Sequence, residues 1–255
     1  MKIKINKSLL TDVGLVRSAN EDSIGYSHSD DNNGNGTIFV VCDGMGGHIG
    51  GTVASKTAVE RIIEYFKKDY YDNPFVALNN AITFANDQIY LKTKTDPSLS
   101  GMGTTCTVLL CRDDKFFIAH VGDSRGYIYD SNKIYRLTKD HSYVQQLVDS
   151  GVDMTEKEME SHPRKNEILR ALGISKTVNV EVSSVPITPK TGSKVLLCSD
   201  GLCGLVTDSQ ICDIINNGSN IDSISKKLVD SAKQAGGDDN ISVILIEILS
   251  SPHQK

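Results

Sequence analysis

Short apolar runs, separated by turn residues, recur along the chain. Two longer segments, 52–70 and 75–92, instead repeat apolar residues every three or four positions, which predicts amphipathic helices. Pro74 suits the first position of the second helix. Two further helices are predicted at 208–216 and 221–234, where Gly218 and Gly236 are stop signals. The short runs predict β-strands at 23–27, 37–42, 105–111, 116–121, 126–129, 178–185, 194–198 and 241–248.

The order of these elements predicts the fold class. Several strands follow one another after only a few residues, which favours antiparallel pairing, and paired helices interrupt the strand runs. We therefore expect an α+β fold in which helices pack over antiparallel sheets. No repeat, low-complexity stretch or Pro/Ser-rich linker divides residues 1–255, which favours one domain.

The segment 142–170 differs from the rest of the chain because it is charged and lacks a long apolar run. We expect a surface insertion with short helical pieces there. Its function stays open at this point, since a charged stretch of this kind is commonly a solvated connector.

Composition narrows the class of protein. Hydrophobic residues make up 39% of the 255 residues and there are 21 glycines, as in soluble globular proteins. The net charge of -5, with no strong basic cluster, argues against nucleic acid or anionic membrane as a partner. No apolar run approaches a membrane span, and the first residues alternate polar with apolar, so we expect neither membrane insertion nor export. The six cysteines contain no C-x-x-C pair, which favours reduced thiols in a cytoplasmic protein.

Four aspartates lie where apolar strands end or begin, each beside glycine or another small residue: Asp43, Asp123, Asp200 and Asp239. One Asp-Gly pair is usually only a turn, but four at the ends of core strands need another explanation. Carboxylates brought together repel one another unless a cation neutralises them. Oxygen donors without histidine or cysteine favour Mg²⁺ or Mn²⁺ over zinc. Glycine at position 44 would let a backbone carbonyl approach such an ion.

Six ordered motifs carry a specific resemblance to a known family. They are T-D-x-G-x-x-R-x-x-N-E-D at 11–22, C-D-G-M-G-G-H at 42–48, G-M-G-T-T at 101–105, H-V-G-D-S-R at 120–125, S-D-G-L at 199–202 and D-N-I-S-V at 239–243. In this order they resemble the metal-dependent Ser/Thr protein phosphatases of type 2C, and most closely the short bacterial members. The resemblance implies a β-sandwich of two antiparallel sheets flanked by pairs of helices, with a metal centre at one end.

Carried over by position, the resemblance implies a core site for two Mn²⁺ or Mg²⁺ ions. Asp43 would bridge both ions and Gly44 would contribute its carbonyl. Asp200 and Asp239 would ligate the first ion, and Glu21 would hold waters on the second.

The same resemblance implies further roles around this core site. Asp123, with Asp200 shared, matches the ligands of a third and weaker ion. Arg17 matches the phosphate-binding arginine, because a guanidinium can hold two phosphate oxygens at once. Asp22 would ligate metal-bound water or pair with a base, or else be a structural carboxylate. His48 would protonate the leaving oxygen or have a structural role in its loop.

Three other histidines receive no catalytic role at this stage. His120 and His141 are expected to be structural. His162 lies in the segment 142–170, which resembles the mobile flap beside the cleft in this family.

The resemblance implies hydrolysis of phosphoserine and phosphothreonine monoesters by a metal-activated water. The expected partners are phosphorylated proteins and a cognate Ser/Thr kinase that phosphorylates them, and the expected state is a monomer.

Two alternatives stand beside this interpretation. Cys106–Arg112 satisfies C-x5-R, the phosphate loop of cysteine-dependent phosphatases, but its apolar, β-prone residues favour a strand over a phosphate-binding loop. The other alternative is a catalytically weak regulator of the same fold that binds phosphoproteins. The oxygen donors present at every expected ligand position argue against it.

Overall fold

The computed structural model describes residues 3–251 and contains twelve strands and seven α-helices there. No helix in this range combines the length and the apolar character that a membrane crossing needs. The strands are β1 (Lys4–Asp12), β2 (Ser23–Ser27), β3 (Thr37–Cys42), β4 (Gly44–Met45), β5 (Gly103–Thr104), β6 (Cys106–Arg112), β7 (Lys115–Val121), β8 (Arg125–Asp130), β9 (Lys133–Arg136), β10 (Glu181–Val182), β11 (Lys194–Cys198) and β12 (Ile241–Ser250). The helices are α1 (His48–Lys68), α2 (Pro74–Thr95), α3 (Tyr143–Asp149), α4 (Glu156–Ser161), α5 (Asp200–Cys203), α6 (Asp208–Asn216) and α7 (Ile221–Gln234).

Ten of the strands form two antiparallel sheets of five strands each. The first sheet has the order β1-β12-β11-β8-β9, and the second has the order β10-β7-β6-β3-β2. The remaining two strands, β4 and β5, pair with each other. The predicted sandwich of two antiparallel sheets with flanking helices is confirmed.

Three apolar layers hold the sandwich together. Side chains from both sheets meet in the middle layer, while α1 and α2 cover the outer face of the second sheet and α5, α6 and α7 cover that of the first. Strand β3 shows the alternation: Phe39 and Val41 face the other sheet, whereas Ile38, Val40 and Cys42 face the helices. Because both faces of β3 are covered, all six of its residues are buried, and its sequence is a continuous apolar run.

Helix ends follow the sequence signals. Asn73 accepts hydrogen bonds from the backbone N–H groups at the start of α2, and Pro74 is the first residue of that helix, as predicted. Helices α6 and α7 each begin with a capping box, formed by Thr207 and Gln210 in α6 and by Asn220 and Ser223 in α7.

The structure also contains strands that the apolar runs did not predict. Strand β1 is mostly polar and pairs with β12 at the edge of the first sheet, where it has one neighbouring strand. Strand β9 is a short, partly charged edge strand of four residues. The strand predicted at 178–185 forms only at Glu181–Val182, which is β10. It pairs with β7 at an edge of the second sheet. Edge strands bury less side-chain surface, so their apolar signal is weak.

The topology brings the motif aspartates to one end of the sandwich. Asp43 follows β3, Asp123 follows β7, Asp200 follows β11 and Asp239 precedes β12. Antiparallel pairing puts the end of β11 beside the start of β12, and it puts the ends of β3 and β7 on either side of the start of β6. The hydroxyl of Ser199, directly after β11, donates to Asp22, directly before β2, so the strand ends of both sheets lie at the same end of the molecule.

The segment 142–170 contains α3 and α4, and its two ends are joined. The N–H of Tyr143 donates to the carbonyl of Glu167 at 2.9 Å, and the N–H of Leu169 donates to the carbonyl of His141 at 2.7 Å. The segment thus leaves the sandwich and returns to it at one place.

Candidate metal centre

Five aspartates define what we call the acidic centre: Asp22, Asp43, Asp123, Asp200 and Asp239. Asp22 and Asp123 are buried, and the other three are partly buried. Four of them are the motif aspartates at strand ends, and Asp22 lies immediately before β2. The structure thus brings together carboxylates from five separate parts of the chain.

Burial and mutual repulsion raise the pKa values of these carboxyl groups. Burial is the largest cause for Asp43, and the charges of Asp22, Asp200 and Asp123 raise its pKa further. Burial, followed by the charge of Asp200, also raises the pKa of Asp123. The pKa of Asp22 rises to about 7, mainly through burial and partly through Asp200 and Asp239, although hydrogen bonds from serines oppose the rise. The centre holds more negative charge than its surroundings can neutralise.

The donor atoms fit a divalent cation. Oδ1 of Asp22, of Asp123 and of Asp200 are buried and have no hydrogen-bond partner among the described residues. A buried carboxylate oxygen without a partner is costly, so it needs a proton or a positive charge. Because the acidic centre offers only oxygen atoms, Mg²⁺ and Mn²⁺ suit it better than zinc.

Glu21 and Gly44 lie beside the acidic centre in close backbone packing. The carboxylate of Glu21 packs against Gly51 in the first turn of α1, where a Cβ atom would overlap it. A Cβ atom at Gly44 would overlap the backbone oxygens of Gly51 and Glu21. Ser55 also donates a hydrogen bond to the carbonyl of Glu21 at 2.5 Å. The glycines of this motif thus allow α1 to approach the acidic centre closely.

Arg17 already contacts the acidic centre. Its Nη2 atom lies 2.7 Å from Oδ2 of Asp239, and its Nε atom lies 3.4 Å from the carbonyl oxygen of Asp238. The side chain of Arg17 is 52% exposed, so this ion pair lies at the rim of the centre. The two residues to which the sequence assigns a phosphate-binding and a metal-ligating role are therefore direct partners.

Polar residues that received no role from the sequence position the aspartates. Thr105 accepts a hydrogen bond from the N–H of Asp43 at 2.9 Å, and Ser199 donates to Oδ2 of Asp22 at 2.8 Å. Asn240 accepts from the N–H of Glu21 at 2.7 Å and donates to carbonyls in the loop between β1 and β2. All three lie within the quoted motifs, so the motifs themselves were the available signal.

His48 lies partly beyond what can be described. It is the first residue of α1, after Gly47 in the N-cap position, but its side chain lies outside the described residues. The backbone of His48 lies three residues after Met45, the last residue of β4.

The C-x5-R sequence is a strand, as predicted. Cys106–Arg112 is β6 in full, and all seven residues are buried. Seven residues of strand separate the two ends by about 20 Å, so the cysteine and the arginine do not surround a common phosphate. Arg112 instead donates to the carbonyl of Tyr71 at the opposite end of the sandwich.

A helix-flanked antiparallel sandwich with an acidic centre at one end is the arrangement expected of a metal-dependent phosphatase. Comparison with known proteins gives the same class. A family model described as Protein phosphatase 2C matches residues 16–243. The serine/threonine phosphatase stp of Listeria welshimeri serovar 6b is 37% identical over 241 residues, which are 93% of each chain. Protein phosphatase PhpP of Streptococcus pneumoniae is 34% identical over 94% of this chain and 96% of its own.

Solved structures give the same result. Serine/threonine phosphatase Stp1 from Staphylococcus aureus superposes with a TM-score of 0.86 at 32% identity, covering 97% of both chains. The catalytic domain of the phosphatase PstP, solved in complex with two manganese ions, has a TM-score of 0.82 at 29% identity and covers 98% of this chain and 100% of its own. The chain belongs to the protein phosphatase 2C family. It is a metal-dependent protein serine/threonine phosphatase.

The charge of Asp22 predicts an unusual effect on stability. In the folded, metal-free protein its pKa is about 7, against 3.8 for an unperturbed aspartate, so folding favours the protonated form. This stabilisation is complete below pH 3.8 and is lost as the pH rises through 7. We therefore expect Asp22→Asn to raise the melting temperature of the metal-free protein at pH 8, with a smaller gain at pH 5.

Thermal unfolding in excess chelator at several pH values measures this effect. Asp12→Asn is the matched control, because Lys233 lies 2.9 Å from Oδ2 of Asp12 and, with the Gly14 N–H, lowers the pKa of Asp12 although burial opposes this. That variant should lose stability at pH 8. A loss of stability in Asp22→Asn at pH 8 would contradict the assigned charge repulsion.

Proposed function

We propose that the acidic centre is the catalytic site of this phosphatase and holds two Mn²⁺ or Mg²⁺ ions. The observation that carries the proposal is the convergence of five carboxylates, three of which have a buried oxygen with no hydrogen-bond partner in the described part of the chain. The relative PstP, solved with two manganese ions, supports the number of ions. The substrates of the present phosphatase would be phosphoserine and phosphothreonine residues in proteins.

The ligand roles are those that the resemblance to the phosphatase family implies for these positions. Asp43 would hold both ions, with the carbonyl of Gly44 as a further ligand. Asp200 and Asp239 would hold the first ion, and Glu21 would hold waters on the second. The chemistry that such a pair of ions supplies is a hydroxide nucleophile at neutral pH and neutralisation of charge at phosphorus.

The chain's own residues bind the phosphate and handle protons. Arg17 would bind two phosphate oxygens through its guanidinium, and its half-exposed position at the rim allows this. Asp22, held by the Ser199 hydroxyl through Oδ2, would accept a proton of the attacking water at Oδ1. His48 would donate a proton to the leaving serine or threonine oxygen, since imidazole titrates near neutral pH.

A third, weaker ion would bind between Asp123 and Asp200. The charge of Asp200 raises the pKa of Asp123, which supports their proximity. Only these two aspartates are proposed for this site, so the ion would keep more water and bind less tightly than the ions at Asp43.

The wider setting of the enzyme is also a proposal. We propose that it acts as a monomer, with one catalytic domain over 1–255, and that 142–170 is a flap beside the cleft. A Ser/Thr kinase of the same cell would make its phosphoprotein substrates. All six cysteines are free thiols, which supports a reducing compartment such as the cytoplasm.

The decisive experiment is dephosphorylation of a phosphoserine and phosphothreonine peptide panel with each metal added back. We expect Asp43→Asn to lose most turnover while keeping its fold, because an amide cannot balance two cations. Asp130→Asn is the control, since that carboxylate pairs with Lys190 at the far end of β8. Turnover near the wild-type level in Asp43→Asn at saturating Mn²⁺ would refute the site.

The same assay separates the enzyme from the two alternatives. Loss of activity on chelation, with full recovery when Mn²⁺ is restored, is the result expected of the acidic centre. Loss on thiol alkylation alone would favour Cys106, and binding of phosphopeptides without turnover would favour the regulator.

Arg17→Ala should mainly weaken substrate binding. Hydrogen bonds to charged groups contribute about 1.5 to 3 kcal/mol, so KM should rise about tenfold or more. Steady-state kinetics with a small aryl phosphate and a phosphopeptide measure this change. Arg61→Ala is the control, because Arg61 pairs with Glu64 on an outer turn of α1. An unchanged KM for both substrates would contradict the proposed role of Arg17.

Asp123→Ala should remove the third ion and spare the other two. We expect calorimetry to find two tight Mn²⁺ ions in the variant, together with reduced turnover of phosphoprotein. The proposal for the third ion fails if the two tight ions are lost, or if turnover of every substrate is unchanged.

A further inference from the structure

A second cluster of titratable side chains lies near the acidic centre and has no role in the proposed chemistry. We call His120, His141, Glu181 and Arg170 the histidine clamp. His120 is on β7, three residues before Asp123, and its partner across the β7–β10 ladder is Glu181. His141 and Arg170 lie at the two ends of the segment 142–170. The clamp therefore joins the sandwich to that segment.

The four side chains of the clamp are in contact. The rings of His120 and His141 stack with centroids 4.5 Å apart and an angle of 12° between their planes. Oε2 of Glu181 lies 3.2 Å from Nε2 of His141, and Oε1 lies 3.6 Å from Nε2 of His120. Nη1 of Arg170 lies 3.1 Å from Nε2 of His141.

His141 also contacts the turn that carries Asp123. The N–H of Gly122 donates to Nδ1 of His141 at 3.1 Å, and the N–H of His141 donates to the carbonyl of Gly122 at 2.9 Å. Gly122 has φ +109°, a conformation that side chains rarely adopt, and a Cβ atom there would overlap Thr105. The reciprocal pair thus holds, directly before Asp123, a turn that requires glycine.

Metal binding is the first explanation to consider for this cluster. Donor atoms of His120, His141 and Glu181 all lie within 4.8 Å of one another, and neither ring nitrogen of the buried His120 has a hydrogen-bond partner among the residues described. His and carboxylate ligands would suit a transition metal such as zinc.

Three features of the clamp argue against a metal ion. Nδ1 of His141 accepts the Gly122 N–H, so Nε2 carries the proton when the ring is neutral. A protonated nitrogen has no free lone pair and cannot ligate a metal ion. Imidazole lone pairs lie in the ring plane, so two nearly parallel, stacked rings keep their lone pairs in separate parallel planes and do not direct them towards one ion. The guanidinium of Arg170 adds a positive charge beside Nε2. The contacts instead suit a hydrogen-bonded network in which Glu181 accepts from Nε2 of His141 and the ring of His120 stacks on that of His141.

Burial and neighbouring charges keep the His141 ring neutral, so that Nδ1 can accept a hydrogen bond. Burial lowers the pKa of His141, and Arg170 lowers it further against the opposing effects of Glu181 and Asp140. Burial, with repulsion from His141, lowers the pKa of His120 to about 4. Both rings are therefore neutral at pH 7, as the Gly122 hydrogen bond requires.

We propose that His141 is a positioning residue that sets the Gly122–Asp123 turn through Nδ1. Its carbonyl accepts the N–H of Leu169 and its Nε2 is held by Glu181, so that the returning end of the segment 142–170 and the turn before Asp123 belong to one network. The inference rests on the proposed role of Asp123 as the third-ion ligand, and it adds the residue that holds this ligand in place.

Two substitutions at His141 separate a positioning role from simple packing. In His141→Asn the amide oxygen can replace Nδ1 as the acceptor for the Gly122 N–H, whereas His141→Ala has no acceptor. We expect His141→Ala to weaken binding of the third Mn²⁺ about 10- to 100-fold, the usual range for lost outer contacts of a metal site. His141→Asn should recover most of that affinity, and the two tight ions should bind normally in both.

Amide hydrogen exchange tests the turn without reference to the metal. In His141→Ala the Gly122 amide of the metal-free protein should exchange about 2- to 10-fold faster, as expected for one lost hydrogen bond. His141→Asn should restore slow exchange. Glu181→Gln, a partly exposed position, should give a smaller change in the same direction and keeps the test available if His141→Ala does not fold. His28→Ala, at an exposed site outside the clamp, is the control.

The outcomes distinguish this inference from the proposed function. Unchanged Gly122 exchange in His141→Ala, or in Glu181→Gln if only that variant folds, overturns the positioning role. Stoichiometric Zn²⁺ binding that is kept in Asp43→Asn and lost in His141→Ala also overturns it, in favour of a metal site. If Asp123→Ala leaves weak Mn²⁺ binding unchanged while Gly122 exchange responds to His141→Ala, the third-ion proposal fails and the clamp stands.

Discussion

Repulsion between buried carboxylates is the constraint on which the rest of this structure depends. Burial and neighbouring charges raise the pKa values of Asp22, Asp43, Asp123 and Asp200, so each group opposes the ionisation of the others. Such a cluster persists only on a scaffold rigid enough to hold it, and only when cations or protons supply the missing positive charge. A cation bound at this centre would therefore stabilise this end of the protein.

The sandwich provides that rigidity by covering both faces of every strand that ends or begins at a motif aspartate. Strands β3, β7, β11 and β12 are buried almost throughout, because another sheet lies on one side and helices lie on the other. The backbone of an aspartate at the end of such a strand is therefore held in a fixed position. Hydroxyl and amide groups at the rim, such as those of Thr105, Ser199 and Asn240, then orient the backbone and carboxylates individually.

The two ends of the segment 142–170 join this rigid part side by side. The carbonyl of His141 accepts the N–H of Leu169, and the ring of His141 accepts the N–H of Gly122. His141 therefore contacts both the returning end of the segment 142–170 and the turn before Asp123. This arrangement explains why a histidine without a place in the chemistry is buried beside the acidic centre.

The sequence by itself determined the core strands, four of the helices and which residues are candidates for the site. Buried strands such as β3 are continuous apolar runs, and long helices repeat their apolar positions, so both have strong local signals. Edge strands β1 and β9 have weak signals because they bury less surface. The motif aspartates could be found because each follows or precedes a core strand next to a small residue.

Only the tertiary structure decided which side chains meet. Arg17 and Asp239 are 222 positions apart in the chain and form an ion pair, and no local pattern encodes that contact. His120, His141 and Glu181 had only a structural expectation, or none, because their common cluster depends on the pairing of β10 with β7 and on the return of a loop. Local sequence patterns report burial and backbone conformation, whereas the distance between remote side chains is set by how the sheets and loops pack.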